Sequence, residues 1–298
     1  MILLPMATRT AHERKLWRQY AVLGAVLGSF LAGCTVLTAL TLTYTYAERL
    51  LLWKVDHYFH LSDEQDKQVK ARLAELHTWH RQTELPRYAG FLKQIQDRWR
   101  DGVSAEEIEW TFDTFAKLRA ELADRVAAAG AVFLPTVDAK QIRHLERGMQ
   151  HDYRAWQSQA SARPEERATK RIKTVFGWLR DWLGPLTPDQ EALVARLIRE
   201  MPDRAEDTLV YRTQRQKQFL QLLQSHPSSE VIEHTLQEWL ATPEKNSPPA
   251  YALSVQHFRQ DVKTTVLAID RTVTPRQRTH ASEKLQNLIA EIQRLASG

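Results

Sequence analysis

Leu186-Thr187-Pro188-Asp189-Gln190, followed by Glu191-Ala192-Leu193-Val194-Ala195-Arg196-Leu197-Ile198, is the stretch whose reading decides the fold. A hydroxyl residue three positions before a glutamine is a capping box: the Thr187 side chain accepts the Gln190 amide, and the Gln190 side chain reaches back to the Thr187 amide. Pro188 then occupies the first helical position, where no donor is lost. The same pattern recurs in Leu61-Ser62-Asp63-Glu64-Gln65 and Val273-Thr274-Pro275-Arg276-Gln277, and in weaker form at Asp138 with Gln141. Three helices are therefore expected to start at Ser62, Thr187 and Thr274. Each continues in register, with Val69, Val194 and Ala281 four residues past the glutamine and Leu73, Ile198 and Leu285 eight past it. The intervals between the three glutamines are unequal, so no fixed period and no solenoid is implied.

Working outward, spacing of three and four is widespread after residue 50, and no alternating run bounded by turn residues stands out. Ile108, Phe112, Phe115, Leu118, Leu122 and Val126 form one stripe, and Leu285, Leu288, Ile289, Ile292 and Leu295 another. The fold class is all-α, a multi-helix bundle with helices expected near 36–59, 63–82, 84–101, 105–130, 139–160, 165–183, 188–224, 229–241, 250–271 and 275–296. Pro202 should bend or split the longest. The expected organisation is a leader over 1–33, a tether and first helix over 34–60, and two helical sub-bundles over 61–160 and 161–298. The 298 residues, 43% hydrophobic and 26% charged with 12 prolines, exclude collagenous, disordered and multi-span membrane classes. A single cysteine excludes an internal disulfide and a thiolate zinc site.

That cysteine is Cys34, and it follows a distinctive leader. Arg9, Arg14, Lys15 and Arg18 against Glu13 precede an apolar run over 21–31, and small residues follow, the order of a secretory signal. The basic leader supplies most of the net charge of +5, so a nucleic-acid partner is not implied. No charge occurs from Gln19 to Ala47, which leaves a second reading open, an uncleaved inner-membrane single-pass anchor. Both readings place the rest of the chain outside the cytoplasm.

Leu31-Ala32-Gly33-Cys34 resembles the lipobox of bacterial lipoproteins. The resemblance implies cleavage before Cys34, a diacylglycerol on its thiol and an acylated amino terminus. Thr35 is not the aspartate that enteric bacteria use for inner-membrane retention, so the resemblance implies the outer membrane, facing the periplasm. Asp56, Tyr58, Phe59, Leu61 and Gln65, then Trp79, His80, Arg81, Glu84, Leu85, Pro86 and Tyr88, resemble a family of uncharacterised bacterial lipoproteins, from which the long basic leader departs. That family lends a location and an architecture, not an activity. The Ser/Thr-x-x-Gln repeat is similar to the LTxxQ motif of small periplasmic stress chaperones, the spheroplast-protein-Y group, although cap chemistry alone also accounts for it.

The expected function is a lipid-anchored, non-enzymatic envelope protein that binds a protein or peptide partner or supports envelope integrity, with no cofactor beyond the covalent lipid and the membrane reached through that lipid. The candidate interaction or structural site is Tyr58, Trp79, His80, Arg81, Glu84, Pro86 and Tyr88. Pro86 is expected to begin a new helix, with the polar residues before it satisfying a helix junction. An aromatic-lined groove for a peptide or glycan is the other reading of this stretch. The rival class is an envelope enzyme or metal protein using His77, His80 and Glu84, which share a helical face if the helix runs through.

Overall fold

A computed structural model describes residues 41–298, of which 47–298 form one compact unit. The leader and Cys34 lie outside the described residues. The unit contains eleven α-helices and, among the described residues, no strand. They are α1 (Ala47–Phe59), α2 (Asp63–Trp79), α3 (Leu85–Arg98), α4 (Ala105–Phe133), α5 (Ala139–Ala160), α6 (Pro164–Leu183), α7 (Pro188–Glu200), α8 (Ala205–Gln224), α9 (Ser229–Ala241), α10 (Pro249–Asp270) and α11 (Pro275–Ser297). The chain breaks around Pro202, separating α7 from α8, because proline removes a backbone donor and clashes with the preceding turn. α4 runs on past Gly130 to Phe133. Gly130 sits where a Cβ would lie 2.7 Å from Leu236 Cδ1, so the glycine permits the close approach of α9. α6 stops at Gly184, whose φ of +78° suits glycine alone.

Capping boxes start α2 (Ser62 with Gln65), α4 (Ser104 with Glu107), α5 (Asp138 with Gln141), α7 (Thr187 with Gln190) and α11 (Thr274 with Gln277). The four glutamines do more than cap. Gln65 and Gln141 exchange amide hydrogen bonds, Nε2 to Oε1, at 3.1 and 2.6 Å, and Gln190 and Gln277 do the same at 2.9 Å each way. Each Nε2 also donates to a carbonyl at the turn before its partner's helix: Gln65 to Thr136 O, Gln141 to His60 O, Gln190 to Thr272 O and Gln277 to Pro185 O. All four are buried, at 7%, 8%, 3% and 5% exposure. A buried amide is tolerated when its hydrogen-bonding groups are satisfied, and here both donors and the carbonyl of each side chain are used.

These pairs mark a duplicated module. In the first half α1 packs on α2 and α5, and α2 on α4; in the second α6 packs on α7 and α11, and α7 on α10. The sequence connecting the parts differs, with α3 inserted in one module and α8 and α9 in the other. Phe59, Leu134, Val137, Ile142, Leu145, Leu223 and Ile232 fill the first core; Ile172, Val194, Ile198 and Ile269 fill the second. The turn at 161–163, where one sub-bundle was expected to give way to the next, separates the modules in sequence, yet helices from both sides interlock. α9 lies along α4, α8 against α5 and α11 along α3.

The apolar stripe of α4 is only partly internal. Ile108 and Leu118 are buried, but Phe115 is exposed, and the buried face continues through Ala123, Ala127 and Ala131. Small side chains let a neighbouring helix approach, which hydropathy counting does not register. In the last helix Ile289, Ile292 and Leu295 are buried as the pattern requires.

Candidate functional site

The stretch over residues 79–88 does not contain a helix break. α2 passes through a π-helical turn, His80–Glu84, directly into α3, with the Leu85 amide donating to His80 O. In an α-helix the Pro86 ring would collide with the carbonyl four residues back; the widened turn makes room for it, which is why Pro86 starts no separate helix. The extra residue also changes the faces. Glu84 is fully buried and its Oε1 accepts from Arg87 Nη1 at 3.0 Å, while His77 Nδ1 pairs with Glu48 Oε1 at 2.7 Å. His77, His80 and Glu84 therefore do not assemble as ligands, and among the described residues no group of three histidine, cysteine or carboxylate side chains is placed to hold a metal.

What this junction does hold is a run of rings. His80 lies edge-on to Trp79 and to Tyr88, at 6.4 and 5.4 Å between centroids, and the Arg125 guanidinium caps Trp79 at 5.1 Å. Burial, then the neighbouring His77, lowers the His80 pKa below 6.5. Burial, then the Glu84 carboxylate, pushes the Tyr88 hydroxyl up to about 12. Arg81 in the π-turn is half-buried, and Pro86 in the first turn of α3 is exposed. Tyr58 is placed elsewhere: its hydroxyl donates to Asp152 Oδ2 and its ring lies against Gly148 on α5.

A cleft of about 300 Å³ opens instead between α5, α8 and α9, lined by Met149, Trp156, Tyr211, Arg212, Arg215, Gln216, Phe219 and Trp239. Tyr211, Arg215 and Phe219 recur every fourth residue on α8, so one helix face supplies the floor. Trp156 on α5 and Trp239 on α9 form the walls. Arg212 stands over the Trp156 ring at 4.9 Å, and Arg215 over Trp239 at 4.6 Å and Tyr211 at 5.4 Å. Tyr211 stacks on Tyr251 with centroids 4.0 Å apart and planes 4° apart, extending the aromatic surface onto α10. Burial and the adjacent Tyr211 raise the Tyr251 hydroxyl pKa. Sequence reading missed this site because its residues come from three helices and cluster nowhere along the chain.

A larger depression of about 550 Å³ lies along α4 near Glu109, Trp110, Asp113 and Lys263. Three of its charges are paired: Lys263 Nζ reaches Glu109 Oε1 at 2.8 Å, and Arg259 bridges Glu109 and Asp113. Hydrogen bonds from Lys263 and Arg259 hold the Glu109 carboxyl below its ordinary pKa.

Comparison with family models gives a match to a family of unknown function, DUF6279, over residues 57–252. The chain belongs to this family. The DUF6279 segment contains the complete α5–α8–α9 cleft and the first glutamine pair. It includes Gln190 but ends before Thr274 and Gln277, so in this DUF6279 protein the second pair joins a helix inside the matched segment to one beyond it. No curated protein and no solved structure matches the chain at a significant level.

Proposed function

We propose that this DUF6279 protein is a lipid-anchored envelope protein, tethered through Cys34 and facing the periplasm, whose helical body captures a protein or peptide partner without catalysing a reaction. The observation that carries the binding role is the α5–α8–α9 cleft, where four aromatic side chains and two arginines converge on one concave surface. Aromatic and arginine side chains in a partly desolvated hollow are the composition from which binding hot spots are made. The anchor rests on the basic residues, the apolar run and the lipobox-like Leu31-Ala32-Gly33-Cys34. The motif glutamines are consumed inside the core, which directs attention to the cleft rather than to the repeated motif as the contact surface.

Two measurements test the proposal. Mass spectrometry of the purified protein should find Cys34 as the amino-terminal residue carrying diacylglycerol and an amide-linked acyl chain; an intact leader with unmodified Cys34 refutes lipidation. A photo-cross-linking residue at position 212, on the cleft rim, should trap a discrete envelope polypeptide in living cells, and Trp239→Ala should abolish the product. Trapping that Trp239→Ala leaves unchanged refutes the cleft as the binding site.

A further inference from the structure

Several arginines that join elements of this protein pair with a carboxylate, and the two arginines of the cleft do not. Arg87 pairs with Glu84, Arg167 with Asp203, Arg180 with Glu191, Arg259 with Glu109 and Arg278 with Asp270. Arg212 and Arg215, one turn apart on α8, meet no carboxylate among the described residues; rings surround them instead. Arg215 spends Nη1 on Gln218 Oε1 at 3.0 Å and Nη2 on Pro243 O at 3.3 Å, and its Nε–H is buried with no acceptor. A buried donor without an acceptor is costly, and a guanidinium is best satisfied by an anionic oxygen pair. Glu244 lies close enough to Tyr251 to influence its hydroxyl, but it is exposed and forms no ion pair with either arginine.

From this we infer that the cleft recognises an acidic peptide segment, one in which a carboxylate sits beside an aromatic or long aliphatic side chain. The inference rests on the partner-binding reading above and adds its chemistry. The carboxylate would be held by the Arg212 fork and the remaining Nη hydrogens of Arg215, and the apolar side chain would lie between Trp156, Trp239 and Phe219. The hollow of about 300 Å³ is at the small end of ligand sites, matching one or two side chains rather than a folded domain. A glycan fits less well, because the uncharged polar groups of the lining are few, the Tyr211 hydroxyl, two indole N–H groups and Gln216, whose Nε2 already donates to Met149 O at 3.3 Å. A phosphate would draw on the same guanidinium donors, and competition by inorganic phosphate separates it from a carboxylate.

The test is fluorescence anisotropy of a labelled acetyl-Glu-Phe-Glu-Leu amide peptide on the full chain in detergent micelles, beside the same peptide with glutamine for glutamate. The acidic peptide should bind more tightly, by about tenfold or more, since that is the scale of one lost charge-assisted hydrogen bond. Its affinity should fall as sodium chloride is raised. Arg212→Gln, at an exposed position, should remove that preference without altering the melting temperature, and Arg215→Gln should do the same where it folds. Equal binding of the two peptides, abolished by Trp239→Ala, overturns the acidic specificity and leaves the cleft as a binding site. No binding of either peptide, or binding indifferent to Trp239→Ala, overturns both. Competition by inorganic phosphate or by phosphatidylglycerol vesicles as effective as the acidic peptide would assign the arginines to a phosphate-bearing ligand and overturn the inference.

Discussion

Replacing Gln190 by leucine keeps the side chain's bulk while deleting its polar end, and the structure fixes what is lost. Gln190 accepts from the Thr187 amide at 3.0 Å and from Gln277 Nε2 at 2.9 Å, and donates to Gln277 Oε1 at 2.9 Å and Thr272 O at 2.8 Å. At about 1 kcal/mol net for each bond, Gln190→Leu should destabilise the protein by about 4 kcal/mol. Gln277→Leu should cost about as much, since Gln277 accepts from the Thr274 amide and donates to Pro185 O besides its two bonds to Gln190. The two inter-glutamine bonds belong to both counts. The double variant should therefore be more stable than the sum of the singles implies, by about 2 kcal/mol. Urea unfolding of the chain from residue 35 onward, followed by far-UV circular dichroism, measures all three variants. A single-variant loss below about 1 kcal/mol, or additive losses in the double, would refute the account of these amides as a reciprocal internal cross-link.

Two further outcomes are expected. Thr187→Ala and Thr274→Ala, which remove the hydroxyls that accept from Gln190 N and Gln277 N, should each cost about 1 kcal/mol in the same urea experiment; an unchanged midpoint at both would show that the caps contribute nothing to stability. His80 has its folded pKa below the unfolded value of 6.5, so the unfolded chain binds its proton first as pH falls. Its contribution to stability is intact above pH 6.5, declines as pH drops from there to the lowered folded pKa, and His80→Asn should flatten that decline in urea midpoints measured from pH 7.5 to 5.

The helix starts were legible because capping is local: Ser62, Thr187 and Thr274 declare themselves within four residues. The break at Pro202 was legible for the same reason. The π-turn was hidden because proline signals only that an α-helix cannot continue, and a widened turn satisfies that constraint as well as a break does. The pairing of Gln65 with Gln141 and of Gln190 with Gln277 was invisible, since partners 76 and 87 residues apart carry no local mark. The duplication escaped notice because insertions of different length destroyed its period. The cleft was illegible because Trp156, Tyr211 and Trp239 become neighbours only after three helices have packed.

The placement of Gln277 gives chain order a structural meaning. The first module closes on itself once α5 exists, for Gln141 then meets Gln65. The second opens with Gln190 on α7 and stays incomplete through α8, α9 and α10, until the last helix brings Gln277. α11 then serves as a keystone, completing the amide pair while it covers α3 of the earlier module. A chain synthesised from its amino terminus thus spends most of its second half with a polar side chain awaiting a mate, and a break between residues 190 and 277 strands it. The 23-residue helix Pro275–Ser297 closes the second amide pair, and a lesion within it reaches back to both halves of the molecule.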